Sequence, residues 1–452
     1  MSKLGNYISV QNGYAFKSKD FIKNLSGMPV IKIGNVTGGS FIDLSSYDTI
    51  SEEIARKVKS FQTKDDDILI AMTGANVGKV SRIAKGTQPC LINQRVGRFI
   101  LKEDCPYSSD FIYYLVSSNK SFQYFSNTAD GAAQPNISGK LIEDLEFPDI
   151  SPKAANKAGE YLKVLDEKIQ LNTQINQTLE QIAQALFKSW FVDFEPVRAK
   201  VQALLDGLSL EQAELAAMQT ISGKTPEELT ALSQTQPDRY EELAETAKAF
   251  PCEMIEVDRV EVPKGWEVKP LGDLISFVKG KKPKSVSPKQ EENMLPHILT
   301  SSLEGKYNEF CESNKLITVE YQNTIMLMDG SNSGRVAIGH NGVIGSTLAK
   351  INLDNNKLWA IIYQFLKHKE ADIQANTTGT TIPHTDKNRV NNYLMVIPNN
   401  FLLEKITELF DNSLLKIISN RNQIISLETT RNLLLPRLLS GEFQYEQKYI
   451  TK

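Results

Sequence analysis

The hydrophobic pattern along the chain alternates twice between short apolar runs and long helical periodicity. Apolar runs such as 29–33, 68–72 and 96–101 are separated by clusters of Gly, Asn, Asp and Ser, which is typical of a strand-rich mixed α/β domain. A seam in steps of three and four residues then predicts a long coiled-coil helix through Leu162, Leu165, Ile169, Asn172, Asn176, Leu179, Ala183, Leu186 and Trp190. A weaker seam follows the second strand-rich stretch, through Phe410, Ser413, Ile417, Asn420, Ile424, Leu427, Arg431, Leu434 and Leu438. Each half of the chain is therefore predicted to end in one long helix.

The two halves are an internal duplication. Residues 4–8 resemble 271–275, residues 68–74 resemble 325–330, residues 131–135 resemble 379–383, and residues 145–148 resemble 395–398. The order of the matches is preserved, while the offset between them falls from 267 at Gly5 to 256 at Gly74 and 248 at Gly131. This pattern predicts a repeated scaffold whose loops differ in length.

Asparagines within the seams indicate how the helices pair. A buried amide lowers stability but fixes register, because it is tolerated only opposite a hydrogen-bonding partner. We expect antiparallel pairing within the chain, with Asn172 opposite Asn420 and the strand-rich domains held apart with pseudo-twofold symmetry. A helix over 160–192 would run roughly 50 Å at ~1.5 Å per residue, or about 15 base pairs of DNA at ~3.4 Å each. The alternative is that these helices only dimerise the protein.

Charge is distributed unevenly along the chain. The net charge is −3, which at first argues against a nucleic-acid-binding protein. Residues 197–262 hold 6 basic against 13 acidic residues, whereas residues 263–400 hold 16 basic against 13 acidic residues. Lys279, Lys281, Lys282 and Lys284 crowd one loop-like stretch. A small basic excess is equally compatible with an ordinary solvated surface.

Motifs for catalysis and cofactor binding are missing from the sequence. The four cysteines are scattered, and the chain has neither a long apolar run nor a signal-like opening, so we expect a cytoplasmic protein without disulfides, metal or membrane contact. Residues 74–80 fail the phosphate-loop pattern, because they have one residue too few between the glycines and no Ser or Thr after Lys79. His384 lacks a nearby nucleophile, and the run of Asp65, Asp66 and Asp67 indicates a turn before a strand. No cofactor is expected.

Candidate DNA contacts come from loops rich in amides and cations. Arg and Lys suit guanine, and Asn and Gln suit adenine. The turn Gly74-Ala75-Asn76-Val77-Gly78-Lys79 recurs as Gly330-Ser331-Asn332-Ser333-Gly334-Arg335, either as a backbone-shaping turn or as a DNA contact. The candidates are Asn76, Lys79, Arg82, Gln94, Arg95 and Arg98 in the first domain, and Lys281, Lys282, Lys284, Asn332 and Arg335 in the second. Turn-flanking residues that could position phosphates or cap turns are Thr73, Gln134, Asn136, Thr380, Thr381 and His384.

Two segments carry a resemblance to a known family. Residues 185–197, ALFKSWFVDFEPV, resemble the central repeat of type I restriction-modification specificity subunits, and residues 433–442, LLLPRLLSGE, resemble the second repeat. The stretch 263–272, which begins Pro263-Lys264-Gly265-Trp266, looks like the usual entry into a second recognition domain.

The resemblance implies two target-recognition domains, at 1–150 and 263–400, joined by a central spacer helix at 151–196 and a C-terminal spacer helix at 401–445. The acidic helical insert at 197–262 is similar to inserts in some members, and we expect it to dock a subunit. Implied partners are double-stranded DNA, two adenine-methyltransferase subunits, and restriction subunits that translocate DNA.

The sequence therefore predicts a non-catalytic DNA-specificity subunit that binds a bipartite, asymmetric site and directs adenine methylation or restriction by its partners. Its fold class is mixed α/β, with two tandem recognition domains separated by two long antiparallel coiled-coil helices. Two alternatives stay open at this point. One is a self-contained restriction or methylation enzyme, and the other is a coiled-coil adaptor that does not bind DNA.

Overall fold

The computed structural model describes residues 2–22, 27–130, 135–257, 260–379 and 381–440. The chain divides into two compact units. The first unit combines Met1–Leu171 with Ser426–Lys452, and the second unit is Asn172–Ile425. Each unit therefore contains one strand-rich domain and one segment of each long helix.

The described residues of the first domain form eight short strands and four short helices, followed by a long helix. The strands are β1 (Ile8–Asn12), β2 (Phe21–Ile22), β3 (Met28–Ile31), β4 (Asp48–Ile50), β5 (Ile68–Ala71), β6 (Val80–Arg82), β7 (Leu91–Ile92) and β8 (Val96–Leu101). The helices are α1 (Glu52–Lys57), α2 (Ser109–Ser117), α3 (Asn119–Thr128), α4 (Gly139–Glu143) and the long α5 (Pro152–Phe191).

Strand β5 lies at the centre of this domain and is buried on both faces. Ile68 and Ile70 pack into one apolar cluster with α2, whereas Leu69 and Ala71 pack into a second cluster with β7. Opposite faces are used because side chains alternate along a strand. The uninterrupted apolar run in the sequence is thus a strand covered on both sides.

A helical insert follows α5 in the second unit. It contains α6 (Glu195–Leu205), α7 (Leu210–Ser222), α8 (Pro226–Thr235) and α9 (Pro237–Ala249), and it leads into the antiparallel strands β9 (Met254–Val257) and β10 (Val260–Pro263). Helices α7 to α9 share a small core of their own around Ala217, Met218 and Leu229. The acidic, alanine-rich sequence of the insert therefore forms a small helical subdomain.

The second strand-rich domain follows the insert. Its strands are β11 (Glu267–Pro270), β12 (Ile275–Lys279), β13 (Met294–Ile298), β14 (Phe310–Glu312), β15 (Thr318–Val319), β16 (Ile325–Leu327), β17 (Val336–Ala337), β18 (Gly342–Ile344), β19 (Leu348–Leu353) and β20 (Leu394–Ile397). Its helices are α10 (Trp359–Ala375) and α11 (Lys387–Asn391), and the long α12 (Asn400–Leu439) comes last.

Sheet topology confirms the duplication. One sheet has the order β1-β8-β5-β6 in the first domain and β12-β19-β16-β17 in the second, with antiparallel neighbours throughout both. The other sheet has a parallel pair at equivalent positions, β3 with β7 and β13 with β18, but different flanking strands. The scaffold repeats, and the periphery of the second sheet diverges.

The long helices pair antiparallel, as the seam predicts. In the second unit Asn420 Nδ2 donates to Asn176 Oδ1 at 2.8 Å, and Asn172 Nδ2 donates to Gln423 Oε1 at 3.2 Å. In the first unit Arg431 bonds Asp166 at 2.6 Å. In these pairs the residue number on α12 rises as the residue number on α5 falls, so the two helices run in opposite directions.

The expected pairing of Asn172 with Asn420 is wrong. Asn172 faces Gln423, and Asn420 faces Asn176. Repeat-equivalent residues of an antiparallel pair lie opposite each other only at the centre of the pairing, and they move apart on either side of it. Asn172 lies on one side of that centre, and its equivalent therefore lies about one helical turn away.

Among the described helices, none is both long enough and apolar enough to cross a membrane.

Candidate nucleic-acid interface

Four loops of the first domain meet at one end of its first sheet. Strands β1 and β5 both run antiparallel to β8, so the loops that follow β1 and β5 lie beside the turn that precedes β8. Backbone hydrogen bonds lock the loops together: Gln94 N to Tyr14 O, Met72 N to Arg95 O, Gly74 N to Pro135 O and Ile137 N to Met72 O, each at 2.9 Å. We call this group the first apex, formed by the described residues of loops 13–16, 72–76, 93–95 and 129–137.

The second domain has the same arrangement. Its locking bonds are Gly280 N to Leu348 O, Met328 N to Thr347 O, Gly330 N to Pro383 O and Thr385 N to Met328 O, at 2.8 to 3.0 Å. We call this group the second apex, formed by the described residues of loops 280–284, 328–333, 345–347 and 377–385. A repeated backbone frame therefore presents loops of different sequence in the two domains.

The first apex exposes hydrogen-bonding side chains. Gln94 and Arg95 are both exposed at the turn before β8. Tyr14 is 38% exposed, and its ring packs against Phe16 and Phe61 with centroids 5.0 and 5.5 Å away. An amide, a guanidinium and a phenol thus lie on loops that are bonded to one another.

Asn76 and Lys79 lie at the other end of the Gly74 turn and are half-buried. Asn76 Nδ2 donates to Ile33 O at 3.0 Å, and Lys79 Nζ donates to Asn76 Oδ1 at 2.9 Å. Both groups of Asn76 are therefore used in shaping the loop. The Lys79 side chain packs beside Gly38, whose positive φ of 86° suits glycine.

Burial removes Arg82 and Arg98 from the predicted set of DNA contacts. Arg82 is 2% exposed and bonds Asp110, Asp166 and Tyr114. Arg98 is 7% exposed, and its guanidinium bonds Asp67 at 3.0 Å as well as the carbonyl oxygens of Ser60 and Gln62 at 2.8 Å. In this conformation both cations hold the domain together and cannot contact DNA.

The second apex is cationic. Lys281, Lys282 and Lys284 are all exposed on the loop that follows β12, around the buried Pro283. Asn332 is exposed on the turn after Gly330. Arg335 is directed elsewhere: its side chain is 34% exposed and forms an ion pair with Glu304. Three lysines and one amide of the predicted set are therefore accessible.

An ion-paired group centred on Asp329 lies beside those lysines, and of its members the sequence indicates only His384, as a turn-flanking residue that could position phosphates. Asp329 binds Lys279 Nζ at 2.7 Å through one oxygen and His384 Nδ1 at 2.8 Å through the other. Partial burial tends to raise the pKa of Asp329, but hydrogen bonds from Lys279 and His384 outweigh it and hold the pKa below its usual value. The carboxylate thus fixes a lysine and a half-exposed imidazole on the second apex.

The turn-flanking residues have equivalent places in the two domains. Thr73 and Asn136 form a bridge in the first domain, and Asp329 and His384 form the corresponding bridge in the second. Thr381 lies on the same loop as His384 and is exposed. Residues 131–134, which include Gln134, and Thr380 lie outside the described residues.

Tyr14 was missed by the sequence reasoning, although the repeat contained a signal for it. Gly13 and Gly280 directly follow β1 and β12, and both approach backbone oxygens so closely that a Cβ would lie within 2.2 to 2.3 Å of them. At the offset of 267 residues, Tyr14 corresponds to Lys281. Aligning the halves at this glycine would have indicated Tyr14 as a candidate beside the lysine loop.

Comparison with known proteins gives a consistent result. The family model described as "Type I restriction modification DNA specificity domain" matches residues 1–181 and 263–431. The HindI specificity subunit of Haemophilus influenzae is 39% identical over 361 residues, which cover 74% of this chain and 77% of that protein. The MjaIX specificity subunit of Methanocaldococcus jannaschii is 25% identical, with 93% and 88% covered.

The crystal structure of a type I restriction-modification S subunit from M. genitalium has a related fold. It superposes with a TM-score of 0.54 at 15% identity, covering 96% of this chain and 94% of that chain. The helical insert lies outside both segments matched by the family model.

Proposed function

The chain belongs to the family of type I restriction-modification specificity subunits, and on that premise we propose that its two apexes read the two halves of a split DNA sequence. The chain is a DNA sequence-specificity subunit and is not itself catalytic. The observation that carries the proposal is the repeated, hydrogen-bonded loop frame that presents different side chains in each domain.

In the first apex, Gln94 and Arg95 are the proposed base-reading residues. A glutamine amide matches the donor and acceptor on the major-groove edge of adenine, and a guanidinium matches the paired acceptors of guanine. Both side chains are exposed on one turn whose backbone is bonded to two other loops. A rigid turn lowers the entropy lost when these side chains are ordered on DNA. Lys79 is the proposed secondary contact at the edge of the apex, and Asn76 shapes the loop that carries it.

In the second apex, Lys281, Lys282 and Lys284 are the proposed phosphate contacts. Exposed lysines supply sequence-independent attraction to the DNA backbone and make binding steeply dependent on salt. Asn332 is the proposed base contact of this apex, whereas Arg335 is held in an ion pair with Glu304. Because the two apexes differ in chemistry, the two half-sites should differ in sequence, and the whole target should be non-palindromic.

The proposed partners are double-stranded DNA, two adenine-methyltransferase subunits and the restriction subunits that translocate DNA. The long helices α5 and α12 are the proposed spacer between half-sites and the dock for the methyltransferases. A heptad inserted in both helices would add roughly 10 Å of rise, and the gap in the target should then grow by about 3 base pairs at ~3.4 Å each. Since this function requires access to cellular DNA, we propose a cytoplasmic location.

Methyladenine mapping in the source cell tests the function. Single-molecule sequencing of genomic DNA would be compared between the wild type, a strain lacking this gene and the complemented strain. We expect the deletion to remove one split, asymmetric methylation motif and the complementation to restore it. An unchanged methylome in a cell that expresses an active methyltransferase partner would contradict the proposal.

A further inference from the structure

The helical insert carries four exposed leucines at the turn between its first two helices. At the turn between α6 and α7, every residue from 204 to 212 is exposed. Leu204, Leu205, Leu208 and Leu210 are 36%, 76%, 44% and 54% exposed, respectively. Isolated exposed leucines are ordinary, but a dense cluster of them marks an interaction site. We call these residues the leucine tip.

Two capping motifs hold the leucine tip in one conformation. Gly207 ends α6 with a φ of 82°, and Leu208 N donates to Ala203 O at 3.0 Å, which is the pattern of a Schellman cap. Ser209 and Gln212 form a reciprocal capping box at the start of α7. The leucines therefore stand on a fixed turn, which reduces the entropy lost when a partner covers them.

The fold of the insert does not require the most exposed leucines. Its core is formed by other residues, including Ala217, Met218 and Leu229. The insert is anchored at its base, where the buried Lys200 Nζ donates to Phe250 O at 2.6 Å and to Ala247 O at 3.1 Å. Leu208 follows the cap glycine, a position from which a Schellman cap commonly makes an apolar contact back to its helix, but neither Leu205 nor Leu210 has such a role.

Charge around the leucine tip restricts what can cover it. No Lys or Arg occurs between Lys200 and Lys224, whereas Asp206, Glu211 and Glu214 all lie in that stretch. Over residues 195–249 the insert has 10 acidic and 5 basic residues. Nucleic acid and anionic membranes would be repelled, and a second copy of this face would bring like charges together. An apolar groove with a basic rim complements both the leucines and the acids.

We infer that the leucine tip is a docking surface for a protein partner that offers an apolar groove rimmed by Lys and Arg. Leu205 and Leu210 enter the groove as apolar anchors, and Asp206 and Glu211 face its basic rim. Such anchors dominate the affinity of a small interface. This inference does not depend on which apex residues read DNA, and it assigns a binding role to the part of the chain outside the DNA specificity domain match.

A photo-crosslinking experiment tests the inference in the full-length chain. A benzophenone amino acid would replace Leu205 in the source cell, and Gln234, an exposed polar residue of α8 in the same insert, would be the control position. Crosslinked peptides would be identified by mass spectrometry. We expect position 205, and not position 234, to capture one protein at a surface that combines apolar residues with Lys and Arg.

The captured protein would then be purified and titrated with L205S/L210S and with L394S, in which a 43% exposed leucine elsewhere in the second unit is replaced. We expect roughly 30-fold weaker binding for L205S/L210S and little change for L394S. Thermal unfolding of each variant would establish that the insert stays folded. Equal crosslinking at 205 and 234, capture of a second copy or of an acidic surface, or unchanged affinity of a folded L205S/L210S would overturn the inference.

Discussion

The two units attach their strand-rich domains to the long helices in chemically opposite ways. In the first unit, Asp166 of α5 is 1% exposed and lies between Arg82 of the domain, at 3.3 Å, and Arg431 of α12, at 2.6 Å. At the repeat offsets of 256 and 248 residues, the second unit has Ile338, Leu414 and Ala183 at these positions. All three are buried in its apolar core.

The difference shows that the repeated scaffold can join its strand-rich domain to the long helices either through paired charges or through apolar side chains. We call this contact between domain and helices the junction. Tyr114 donates to Asp166 at 2.8 Å in the first unit, where burial, followed by the nearby Asp166 carboxylate, raises the pKa of Tyr114. In the second unit, Ala183 and Leu414 line a cavity of about 150 Å³. The second unit thus has apolar side chains beside open space at this contact, whereas the first unit has charges that depend on complete pairing.

Among the changes considered, removal of the Asp166 carboxylate should have the largest effect on the stability of the first unit. We expect Asp166→Leu to destabilise the first unit by roughly 3–5 kcal/mol, because the buried Arg82 and the half-buried Arg431 lose their shared partner. Denaturant unfolding would measure the change. Glu160→Leu, at an exposed acid on the same helix, is the matched control and should change stability by less than about 0.5 kcal/mol. A similar, small effect of both variants would show that the buried ion pairs are not required.

Replacing the three charged residues of the first unit by the apolar residues of the second unit should restore most of the stability that Asp166→Leu removes. In the triple variant R82I/D166L/R431A, the three charged residues are replaced together by those of the second unit, Asp110 keeps its ion pair with Lys163, and the buried Tyr114 hydroxyl loses its bonds to Arg82 and Asp166. We expect stability within about 2 kcal/mol of the wild type, since buried ion pairs can often be replaced by apolar residues. Arg82 Nε has no partner among the described residues, and this unpaired donor further lowers the contribution of the three charged residues to the free energy of unfolding. A triple variant as unstable as Asp166→Leu would contradict this account.

Filling the cavity of the second unit should have a smaller, stabilising effect. Ala183→Leu places apolar atoms in space that its neighbours leave open. We expect a gain of about 1 kcal/mol in the free energy of unfolding, measured by denaturant unfolding beside the exposed control Ala231→Leu. A loss of stability specific to Ala183→Leu would mean that the junction is already fully packed.

The smallest effect should come from acid titration of Asp329 in the second apex. Its pKa in the folded protein is lowered, so its contribution is present above the unfolded value of about 3.9 and is lost as pH falls through the folded value. We expect Asp329→Asn to reduce the fall in stability at acidic pH. The control is Asp354→Asn, and equal acid sensitivity of the wild type and Asp329→Asn would contradict the role of this ion pair.

Much of the fold could be predicted from the sequence, because it depends on local patterns that repeat along the chain. The seam and the duplicated motifs repeat at fixed spacing, and the antiparallel helices and matching sheets confirm both. Helix α5 begins at Pro152, within one residue of the start predicted for the central spacer helix at 151–196, and it ends at Phe191, before the predicted end. The turn predicted at Asp65–Asp67 is confirmed, since Asp66 has a φ of 63° and β5 follows.

Residues of the site were harder to predict, because burial depends on partners distant in sequence. Arg82 resembled an accessible cation after a turn, yet its acid Asp166 lies 84 residues away on α5. Arg98 occupies a strand position whose partners Gln11 and Asp67 come from other strands and loops. Gln94 and the three lysines stayed accessible because their turns project beyond the sheet. Residue type indicated the chemistry, and only the long-range packing separates structural from accessible cations.

The central claim is that each apex reads its own half of the target, and methyladenine mapping of apex variants tests it most directly. Cells would carry Q94A/R95A, K281A/K282A/K284A with Asn332→Ala, or the surface control R56A/K57A on α1. We predict that the first variant relaxes or removes recognition at one half-site and that the second does so at the other half-site, while the control methylates the wild-type motif. Changes confined to the same half-site for both variants, or an unchanged motif in both, would contradict the account.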